Sequence, residues 1–375
     1  MNWIREELAN LQAIDRLREL RSLTPLDARR VLLEGREVRV FCGNDYLGLS
    51  QHPDVRAAAA AASQAHGMGP RGSALICGYT EEHRLLERDL AALKGASDAL
   101  VFPTGFAANM GVLTALGGED TAFFSDALNH ASIIDGCRLA RGDVSVYAHG
   151  DTADLDRLLS ASTAARKIIV TDTVFSMEGT LAPLESIVAL KRQHGAVLVI
   201  DEAHATLVHG AEGGGVAEAA GVAGEVEFQV GTLSKAVGAL GGYVATSSEA
   251  RSWLLNVARS YVFSTALPLP VVAAAREALA VVRRTPQIRR DLQDRIAQLS
   301  EGLGMALDSP IASIVLGTEE RALQASASLL EAGLLVPAIR PPTVPPESAR
   351  LRIALSAAHT QDDVADLLAA LAAIS

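Results

Sequence analysis

The stretch VEFQVGTLSKAVGALGGYVA, residues 226–245, decides the fold class of this chain. An apolar run leads into the turn Thr-Leu-Ser-Lys, and Gly238, Gly241 and Gly242 follow Lys235. The run predicts a buried strand, and the glycines predict a backbone that a flat ligand can approach closely. Lys235 is therefore a candidate for a reactive amine that forms a Schiff base with an aldehyde cofactor. A surface lysine after a buried strand is the alternative that this segment alone leaves open.

A second apolar run, AVLVIDEAH at residues 196–204, ends in polar residues. This pattern is typical of a buried parallel strand with functional side chains at its carboxyl end. A carboxylate there, Asp201, can keep a pyridine nitrogen protonated, which makes pyridoxal phosphate an electron sink. Asp201 and Lys235 therefore suit opposite ends of one cofactor. His204 is close enough in sequence to reach the phenolic oxygen of the same ring, although an ordinary strand-end histidine would look the same.

The tetrapeptide Asp-Glu-Ala-His, residues 201–204, also occurs in nucleotide-hydrolysing motors. Such motors need a phosphate-binding loop of the form G-x-x-x-x-G-K-[ST], and no segment of the sequence has it. The chain is acidic, with 33 Lys and Arg against 44 Asp and Glu, a net charge of −11 and a pI near 5.3. This charge disfavours binding to a polyanion, so we expect neither a helicase nor a nucleic-acid partner.

Apolar runs alternate with amphipathic segments through the middle of the chain. This alternation predicts an α/β fold, a large mostly parallel sheet flanked by helices, followed after Pro268 by a smaller α+β part with short strands near 311–316, 334–339 and 350–355. The predicted strands of the large sheet are ALVF (99–102), TAFFSD (121–126), VSVYA (144–148), KIIVTDTVF (167–175), AVLVIDEAH (196–204), VEFQVGT (226–232) and GGYVAT (241–246). We expect an N-terminal helix and extension over 1–45, a cofactor domain over 46–268 and a small C-terminal domain over 269–375.

Composition agrees with a large core, because 49% of the 375 residues are hydrophobic and the mean hydropathy is +0.22. The start, MNWIREELANLQ, reads as a charged helix without a signal region, and no apolar run is long enough to span a membrane. We therefore expect a cytoplasmic protein. Cys42, Cys77 and Cys137 have no metal-binding spacing, so we expect reduced, mostly buried thiols and no metal site.

Eight segments together resemble the α-oxoamine synthase family of fold-type I pyridoxal phosphate enzymes, in the order of that family and over most of the chain. They are NDYLGLS (44–50), GSALICGYTEEHRLLERDLA (72–91), PTGFAAN (103–109), SDALNHASIIDG (125–136), TDTVFSMEGTLAPL (171–184), IDEAHA (200–205), GTLSKAVGALGGY (231–243) and ARLRIALSAAHT (349–360). The resemblance implies pyridoxal 5'-phosphate as cofactor, an acyltransferase activity and a homodimer.

One segment, AIRPPTVPPESARLR at residues 338–352, is similar to the family members that join L-alanine to a pimeloyl thioester in biotin synthesis. The segment GMGPRGSALICGYT, residues 67–80, departs from the Gly-Ser-Gly-Gly-Ser-Arg pattern of those members. Members that use glycine or serine therefore stay open as an alternative. The sequence also leaves open whether the acyl carrier is coenzyme A or a carrier protein. A noncatalytic relative is disfavoured, because the lysine, the aspartate and the arginine of the family motifs are all present.

The resemblance implies a role for each matching residue. Lys235 is the Schiff-base lysine and base, Asp201 the partner of the pyridine nitrogen, and His204 the partner of the phenolic oxygen. His130 is the imidazole that stacks over the ring and contacts the substrate. The resemblance also implies that the backbone amides of Gly105 and Phe106 bind the phosphate. The hydroxyls of Ser176 and Thr232 are further cofactor contacts. Arg352 is the clamp for the amino-acid carboxylate, a task suited to a guanidinium, with Asn44, Thr343 and Arg18 as further substrate contacts.

Overall fold

The computed structural model describes residues 1–374, and the chain forms two compact units. The larger unit comprises Leu49–Ser176 and Thr180–Arg289. The smaller unit comprises Met1–Gly48, Met177–Gly179 and the chain from Arg290 onward. The expected division at residues 45 and 268 stays a prediction.

The described chain contains fourteen strands and fourteen helices, besides three short 3₁₀ or π turns. The strands are β1 (Leu23–Pro25), β2 (Arg30–Leu33), β3 (Arg36–Val40), β4 (Asp98–Phe102), β5 (Thr121–Asp126), β6 (Asp143–Tyr147), β7 (Arg166–Asp172), β8 (Val197–Asp201), β9 (Phe228–Thr232), β10 (Gly242–Thr246), β11 (Ile311–Gly317), β12 (Leu334–Leu335), β13 (Ala338–Ile339) and β14 (Ala349–Ala354). The helices are α1 (Asn2–Ala13), α2 (Pro53–His66), α3 (Glu81–Lys94), α4 (Gly105–Leu116), α5 (Ala131–Leu139), α6 (Thr152–Ala161), α7 (Leu184–His194), α8 (Val216–Ala219), α9 (Ser248–Val257), α10 (Arg259–Val262), α11 (Leu269–Arg284), α12 (Gln287–Leu303), α13 (Glu319–Glu331) and α14 (Gln361–Ile374).

A seven-stranded sheet forms the centre of the larger unit, in the order β4-β10-β9-β8-β7-β5-β6. Strand β10 runs antiparallel to both of its neighbours, and the other pairs are parallel. Alternate residues enter two different cores: Ile168 and Val170 belong to one, and Ile169 to the other. Both faces of the sheet are thus covered, which is why its strands read as continuous apolar runs.

The smaller unit contains two small sheets. One has the order β1-β2-β3-β12, and the other, β11-β14-β13, is antiparallel throughout. Val31, Leu33 and Val38 form a buried cluster against Leu330 and Leu335. Helix α1, by contrast, has no buried residue.

The seven predicted strands of the large sheet are confirmed, and the predicted α/β fold class with them. Two of them end earlier than expected, at Asp172 and Asp201, because the following residues turn out of the sheet. The prediction for residues 334–339 was wrong in one respect. Two short strands in different sheets replace one strand, and the break contains Pro337, which lacks a backbone donor. The N-terminal extension also contains three strands that the sequence did not reveal.

The three cysteines are free thiols, as expected, but only Cys137 is fully buried. Cys77 is exposed, so the expectation of mostly buried thiols was wrong. Within residues 1–374, no helix combines the length and apolarity that a membrane span requires. The same residues contain no group of three or more His, Cys, Asp or Glu side chains placed to hold a metal ion.

Candidate active site

Two buried carboxyl groups lie side by side where β7 and β8 end. Asp172 is the register partner of Asp201 in this parallel pair. Asp201 accepts hydrogen bonds from the backbone nitrogen of Ala203 at 2.8 Å and from Asn109 Nδ2 at 2.6 Å. Burial raises the pKa of Asp172 well above its usual range, and the negative charge of Asp201 raises it further. The protonated form of Asp172 is therefore favoured beside Asp201.

Lys235 lies in the tight turn between β9 and β10 and is half-buried. The turn is fixed by hydrogen bonds from Thr232 Oγ1 to the Gly241 carbonyl at 2.8 Å and from the Gly238 amide to the Lys235 carbonyl at 2.8 Å. Gly238 has a φ of +70°, and a Cβ there would lie 2.4 Å from the backbone nitrogen of Ser50. Only glycine fits this close approach, so the glycines serve the packing of the loop as well as any ligand.

The charge of Lys235 reaches both Asp172 and His130. It lowers the pKa of each, although for Asp172 burial outweighs it. His130 remains solvent-accessible, yet desolvation by the surrounding protein lowers its pKa, and Asp201 partly opposes this shift. The lysine, the histidine and the two carboxyl groups thus form one electrostatic cluster at the carboxyl ends of the strands, where ligands bind in open α/β sheets.

His130 caps helix α5 and is held through several hydrogen bonds. Its backbone nitrogen donates to Asp172 Oδ2 at 2.7 Å, and its ring nitrogen Nδ1 lies 2.7 Å from Ser132 Oγ. Ser132 Oγ in turn accepts a hydrogen bond from Asn109 Nδ2 at 2.9 Å. Since Asn109 Nδ2 also donates to Asp201, a continuous chain of hydrogen bonds joins Asp201 to His130.

Gly105 and Phe106 begin helix α4, as the sequence predicted. The Thr104 side chain caps this helix by accepting a hydrogen bond from the Ala107 amide at 3.0 Å. A Cβ on Gly105 would come within 3.1 Å of Thr232 Cβ, so the first turn of α4 packs against the end of β9. Amides at such a helix start favour an anion, which fits the predicted phosphate site. The Phe106 ring lies edge-on to His130, with centroids 6.5 Å apart.

His204 is buried in the turn after β8, and Ser176 is half-buried beyond the end of β7. Both side chains follow strands whose carboxyl ends carry Asp201 and Asp172. Their contacts with a cofactor stay predictions.

Apart from His130, the expected substrate residues belong to the smaller unit and form two groups there. Arg352, in β14, is buried and donates through Nη2 to Asn44 Oδ1 at 3.3 Å. Tyr46 also donates to Asn44 Oδ1 at 3.3 Å, and burial raises its pKa to about 12. Arg18 Nη2 donates to Thr343 Oγ1 at 3.1 Å, and both residues are exposed. Asn44 thus contacts Arg352, as expected, and Arg18 contacts Thr343, while the substrate roles stay predictions.

Sequence reasoning missed three residues of the cluster: Asn109, Ser132 and Asp172. Each lies inside a segment that resembles the family, so its place in that segment could have marked it as a candidate site residue. Asn109 is one helical turn beyond Gly105 and therefore shares its helix face. Asp172, like Asp201, is the carboxylate that ends an apolar strand.

Glu202, which sequence reasoning grouped with Asp201 at the strand end, belongs to a different network. It is fully buried and forms an ion pair with Lys94 at 3.1 Å. The backbone amides of Val216 and Ala217 also donate to it, at 3.2 and 3.0 Å. Its carboxylate is therefore occupied by structural partners.

Whole-chain comparisons place this cluster in a known family. Residues 36–371 match the family described as aminotransferase class I and II. The chain belongs to this family. Fold-type I architecture and dependence on pyridoxal phosphate, which the sequence resemblance implied, are thereby confirmed.

Two curated relatives with the same name are similar to this chain over most of its length. A protein named 8-amino-7-oxononanoate synthase from Arabidopsis thaliana is 50% identical over 90% of this chain and 74% of its own length. A protein of the same name from Anaeromyxobacter dehalogenans (strain 2CP-1) is 48% identical over 100% of this chain and 96% of its own length.

Among solved structures, a serine palmitoyltransferase from Sphingomonas wittichii is 33% identical and has a TM-score of 0.94, covering 100% of this chain and 96% of that protein. A structure described as SPT with PLP also has a TM-score of 0.94, at 30% identity, over 99% of this chain and 96% of that one. The backbone of this chain is thus close to that of a protein solved with the cofactor.

Proposed function

We propose that this enzyme condenses L-alanine with a pimeloyl thioester, releases carbon dioxide and the thiol carrier, and yields 8-amino-7-oxononanoate for biotin synthesis. The observation that carries this proposal is the 48% identity to a synthase of that name over 100% of the chain. The cluster of Lys235, Asp201 and His130 supports it, since it supplies the groups that such a reaction needs.

The larger unit has features that fit pyridoxal phosphate. Asn109 Oδ1 is buried beside Asp201 without a hydrogen-bond partner among residues 1–374, which fits a ligand that brings an N–H group to this place. A protonated ring nitrogen is such a group. The cofactor, when bound, supplies a positively charged ring that accepts electrons from the substrate α carbon. Asp201 would keep that ring nitrogen protonated, and His204 would contact the phenolic oxygen.

The remaining cofactor contacts would hold the phosphate. The backbone amides of Gly105 and Phe106 at the start of α4 would donate to its oxygens, as would the hydroxyls of Ser176 and Thr232. Lys235 would bind the aldehyde carbon and, when the amino acid displaces it, remove the proton from the alanine α carbon. The half-buried position of Lys235 supports both tasks, because the loop backbone that carries it is fixed by hydrogen bonds.

The substrate is assigned to residues of the smaller unit. Arg352 would bind the alanine carboxylate through its planar guanidinium, and its contact with Asn44 would orient it. Arg18 and Thr343 would contact the acyl substrate. When the condensed intermediate loses carbon dioxide, negative charge develops on the new ketone oxygen, and His130 would stabilise it by donating a hydrogen bond.

The finer expectations on assembly and carrier belong to the same proposal. The enzyme would act as a cytoplasmic homodimer and accept pimeloyl-CoA or pimeloyl-acyl carrier protein. It would need neither a nucleic acid nor a membrane.

A second candidate is a glycine- or serine-using synthase, such as a 2-amino-3-ketobutyrate CoA ligase or a 5-aminolevulinate synthase. The observation that favours it is the TM-score of 0.94 to a serine palmitoyltransferase. Its identity of 33% is lower than the 48% shared with the synthase from Anaeromyxobacter dehalogenans, so we rank it second.

Mass spectrometry of products tests both candidates. Enzyme loaded with pyridoxal phosphate receives pimeloyl-CoA and an equal mixture of L-alanine, glycine and L-serine. We expect 8-amino-7-oxononanoate as the main product. A glycine or serine adduct would keep the family and overturn the alanine assignment. Absence of any product with pimeloyl-CoA, followed by product with pimeloyl-acyl carrier protein, would identify the carrier instead.

A further inference from the structure

The hydrogen bonds around His130 determine which ring nitrogen carries the proton. The backbone nitrogen of Ser132 donates to His130 Nδ1 at 3.2 Å. A backbone N–H group can only donate, so this contact favours an Nδ1 that accepts and a neutral ring that carries its proton on Nε2. At 3.2 Å it is weaker than the 2.7 Å contact of the Ser132 hydroxyl, so the hydroxyl has the larger influence on the tautomer.

The Ser132 hydroxyl leads to the same result independently. Ser132 Oγ accepts a hydrogen bond from Asn109 Nδ2 at 2.9 Å, so its own hydrogen is available for the Nδ1 atom of His130, 2.7 Å away. The direction of the chain is set at its other end, because Asp201 Oδ2 accepts from Asn109 Nδ2 at 2.6 Å. Ser132 and Asn109 are 0% and 1% exposed, so water does not compete for these bonds.

His130 Nε2, by contrast, has no protein hydrogen-bond partner among residues 1–374. Desolvation lowers the pKa of His130, which keeps the ring neutral around pH 7. A neutral ring with an occupied Nδ1 can offer only a donor, the Nε2–H group. The Nε2–H group can stabilise an oxygen that gains negative charge by donating a hydrogen bond to it, but His130 in this form cannot act as a general base through Nε2.

We propose that Asn109 and Ser132 are positioning residues that hold His130 in the Nε2–H tautomer, so that the tautomer of the imidazole is tied to the carboxylate of Asp201. The identity of the substrate oxygen that accepts the hydrogen bond from His130 Nε2 rests on the proposed function. The chain of residues itself is independent of the substrate.

Nitrogen NMR of the cofactor-loaded enzyme tests the tautomer directly. The protein is labelled with ¹⁵N-histidine, and the ring signals of His130 are identified by their absence in His130→Gln. We expect Nδ1 in the unprotonated range and Nε2 in the protonated range at pH 7.5. A protonated Nδ1 in the wild-type protein would overturn the proposal.

The variant Asn109→Asp reverses the polarity of the chain with little change in shape. The new carboxyl group and Asp201 must share one proton, because Asn109 Nδ2 lies 2.6 Å from Asp201 Oδ2. With that proton directed from Asp201, the new carboxylate accepts from Ser132, so the hydroxyl no longer donates to His130. We expect the Nδ1 signal to move toward the protonated range and kcat to fall about tenfold, with KM for the amino acid within about twofold, because the donor acts on the developing charge. An unchanged Nδ1 signal in a folded variant would contradict the proposal.

Two serine variants keep the test decisive if Asn109→Asp fails to fold. Ser132→Ala removes the hydroxyl, and we expect a change in the His130 Nδ1 shift and a loss in kcat of about threefold. The matched control is Ser125→Ala, which removes another buried hydroxyl that accepts from an asparagine, Asn129, at 2.9 Å. It should leave the His130 signals unchanged. Equal effects of the two variants would sink the positioning role.

The NMR readout needs no turnover, so it separates this proposal from the proposed function. Loss of the expected product with an intact Nε2–H tautomer would overturn only the reaction. Product formation with a protonated Nδ1 would overturn only the role of Asn109 and Ser132.

Discussion

Two lysines in the larger unit show how differently this chain treats the same side chain. The Lys94 side chain is 0% exposed and donates to Glu202 at 3.1 Å and to the Gly214 carbonyl at 2.6 Å. Burial lowers the pKa of Lys94, but Glu202 and Tyr243 outweigh it, so the net shift is upward. Lys235 is half-buried and lies in a glycine-rich turn. The comparison separates a cation built into the core from a half-buried lysine in the candidate active site.

Asp201 and Glu202 are adjacent in sequence but belong to different networks, one near Lys235 and the other around Lys94. Asp201 belongs to the cluster that also contains His130, and Glu202 to the pair with Lys94. Successive side chains of an extended backbone point in opposite directions, so one strand end can supply both a candidate catalytic carboxylate and a structural one. Proximity in sequence therefore did not imply a shared role.

The variant Lys235→Ala tests the comparison of the two lysines with the largest expected effect, a loss of turnover. We expect product to fall below detection in the mass spectrometric assay, together with the absorbance of lysine-bound pyridoxal phosphate. The melting temperature should change little, because Lys235 is half-buried in a loop that other residues hold. A variant that keeps both product and absorbance would show that Lys235 is not the reactive amine.

For the buried pair of Lys94 and Glu202 we expect a large loss of stability. Glu202→Gln leaves the Lys94 charge without its partner, and we expect a loss of stability of about 3–5 kcal/mol in denaturant unfolding. The double variant Lys94→Met with Glu202→Leu removes both charges and should be more stable than the single variant. A double variant that is less stable than Glu202→Gln would show that the unpaired Lys94 charge is not the source of the loss.

A histidine in the smaller unit extends the comparison to pH. His359 is buried, stacks on Phe41 at 4.2 Å, accepts from the Ser356 amide through Nδ1 and donates to the Val40 carbonyl through Nε2. Desolvation lowers its pKa to about 4. At pH above 6.5 neither state binds the proton, but between about 6.5 and 4 the unfolded chain binds it and the folded one does not. Stability should therefore fall by about 3 kcal/mol over this interval.

Denaturant unfolding at several pH values measures this loss, and His359→Gln is the reference that removes the titrating group. We expect a shallower pH dependence of stability in the variant between pH 6.5 and 4. Parallel curves for the two proteins would exclude His359 as the source. His130, whose Nε2 is open to solvent or substrate, should contribute much less to this slope.

The smallest effect concerns two helix caps. Thr104→Ala removes the cap of α4, and Ser247→Ala removes the cap of α9, where Ser247 Oγ accepts from the Ala250 amide at 3.1 Å. Each should cost about 1 kcal/mol of stability. Only Thr104→Ala should also weaken binding of pyridoxal phosphate, measured by equilibrium dialysis, because α4 carries the predicted phosphate site. Equal cofactor affinity in both variants would argue against that site.

Most of the larger unit could be predicted from sequence because its strands are covered on both faces and so read as apolar runs. The positions of Lys235 and Asp201 followed from polar residues at the ends of such runs. Strand pairing could not be predicted in the same way, since nothing local to residues 242–246 indicates that β10 lies antiparallel between β4 and β9. Strands β1 to β3 were missed because they are short and half exposed.

The remaining misses were polar residues whose partners are distant in sequence. Asn109 and Ser132 look like ordinary helix residues, and their meaning depends on Asp201 and His130, which other elements bring to them. Lys94 likewise resembles a surface lysine at the end of an amphipathic helix until the fold places it on Glu202. Such roles depend on tertiary contacts, which no local pattern encodes.

The place of β10 in the sheet also constrains how the protein forms on the ribosome. Strand β4 is the first strand of the sheet to be synthesised and lies at its edge, where its only neighbour is β10, the last strand to be synthesised. Strand β4 therefore cannot pair within the sheet before residues 242–246 are synthesised. During that interval the nascent chain carries an apolar strand without its partner, and an unpaired strand edge of this kind favours aggregation during folding.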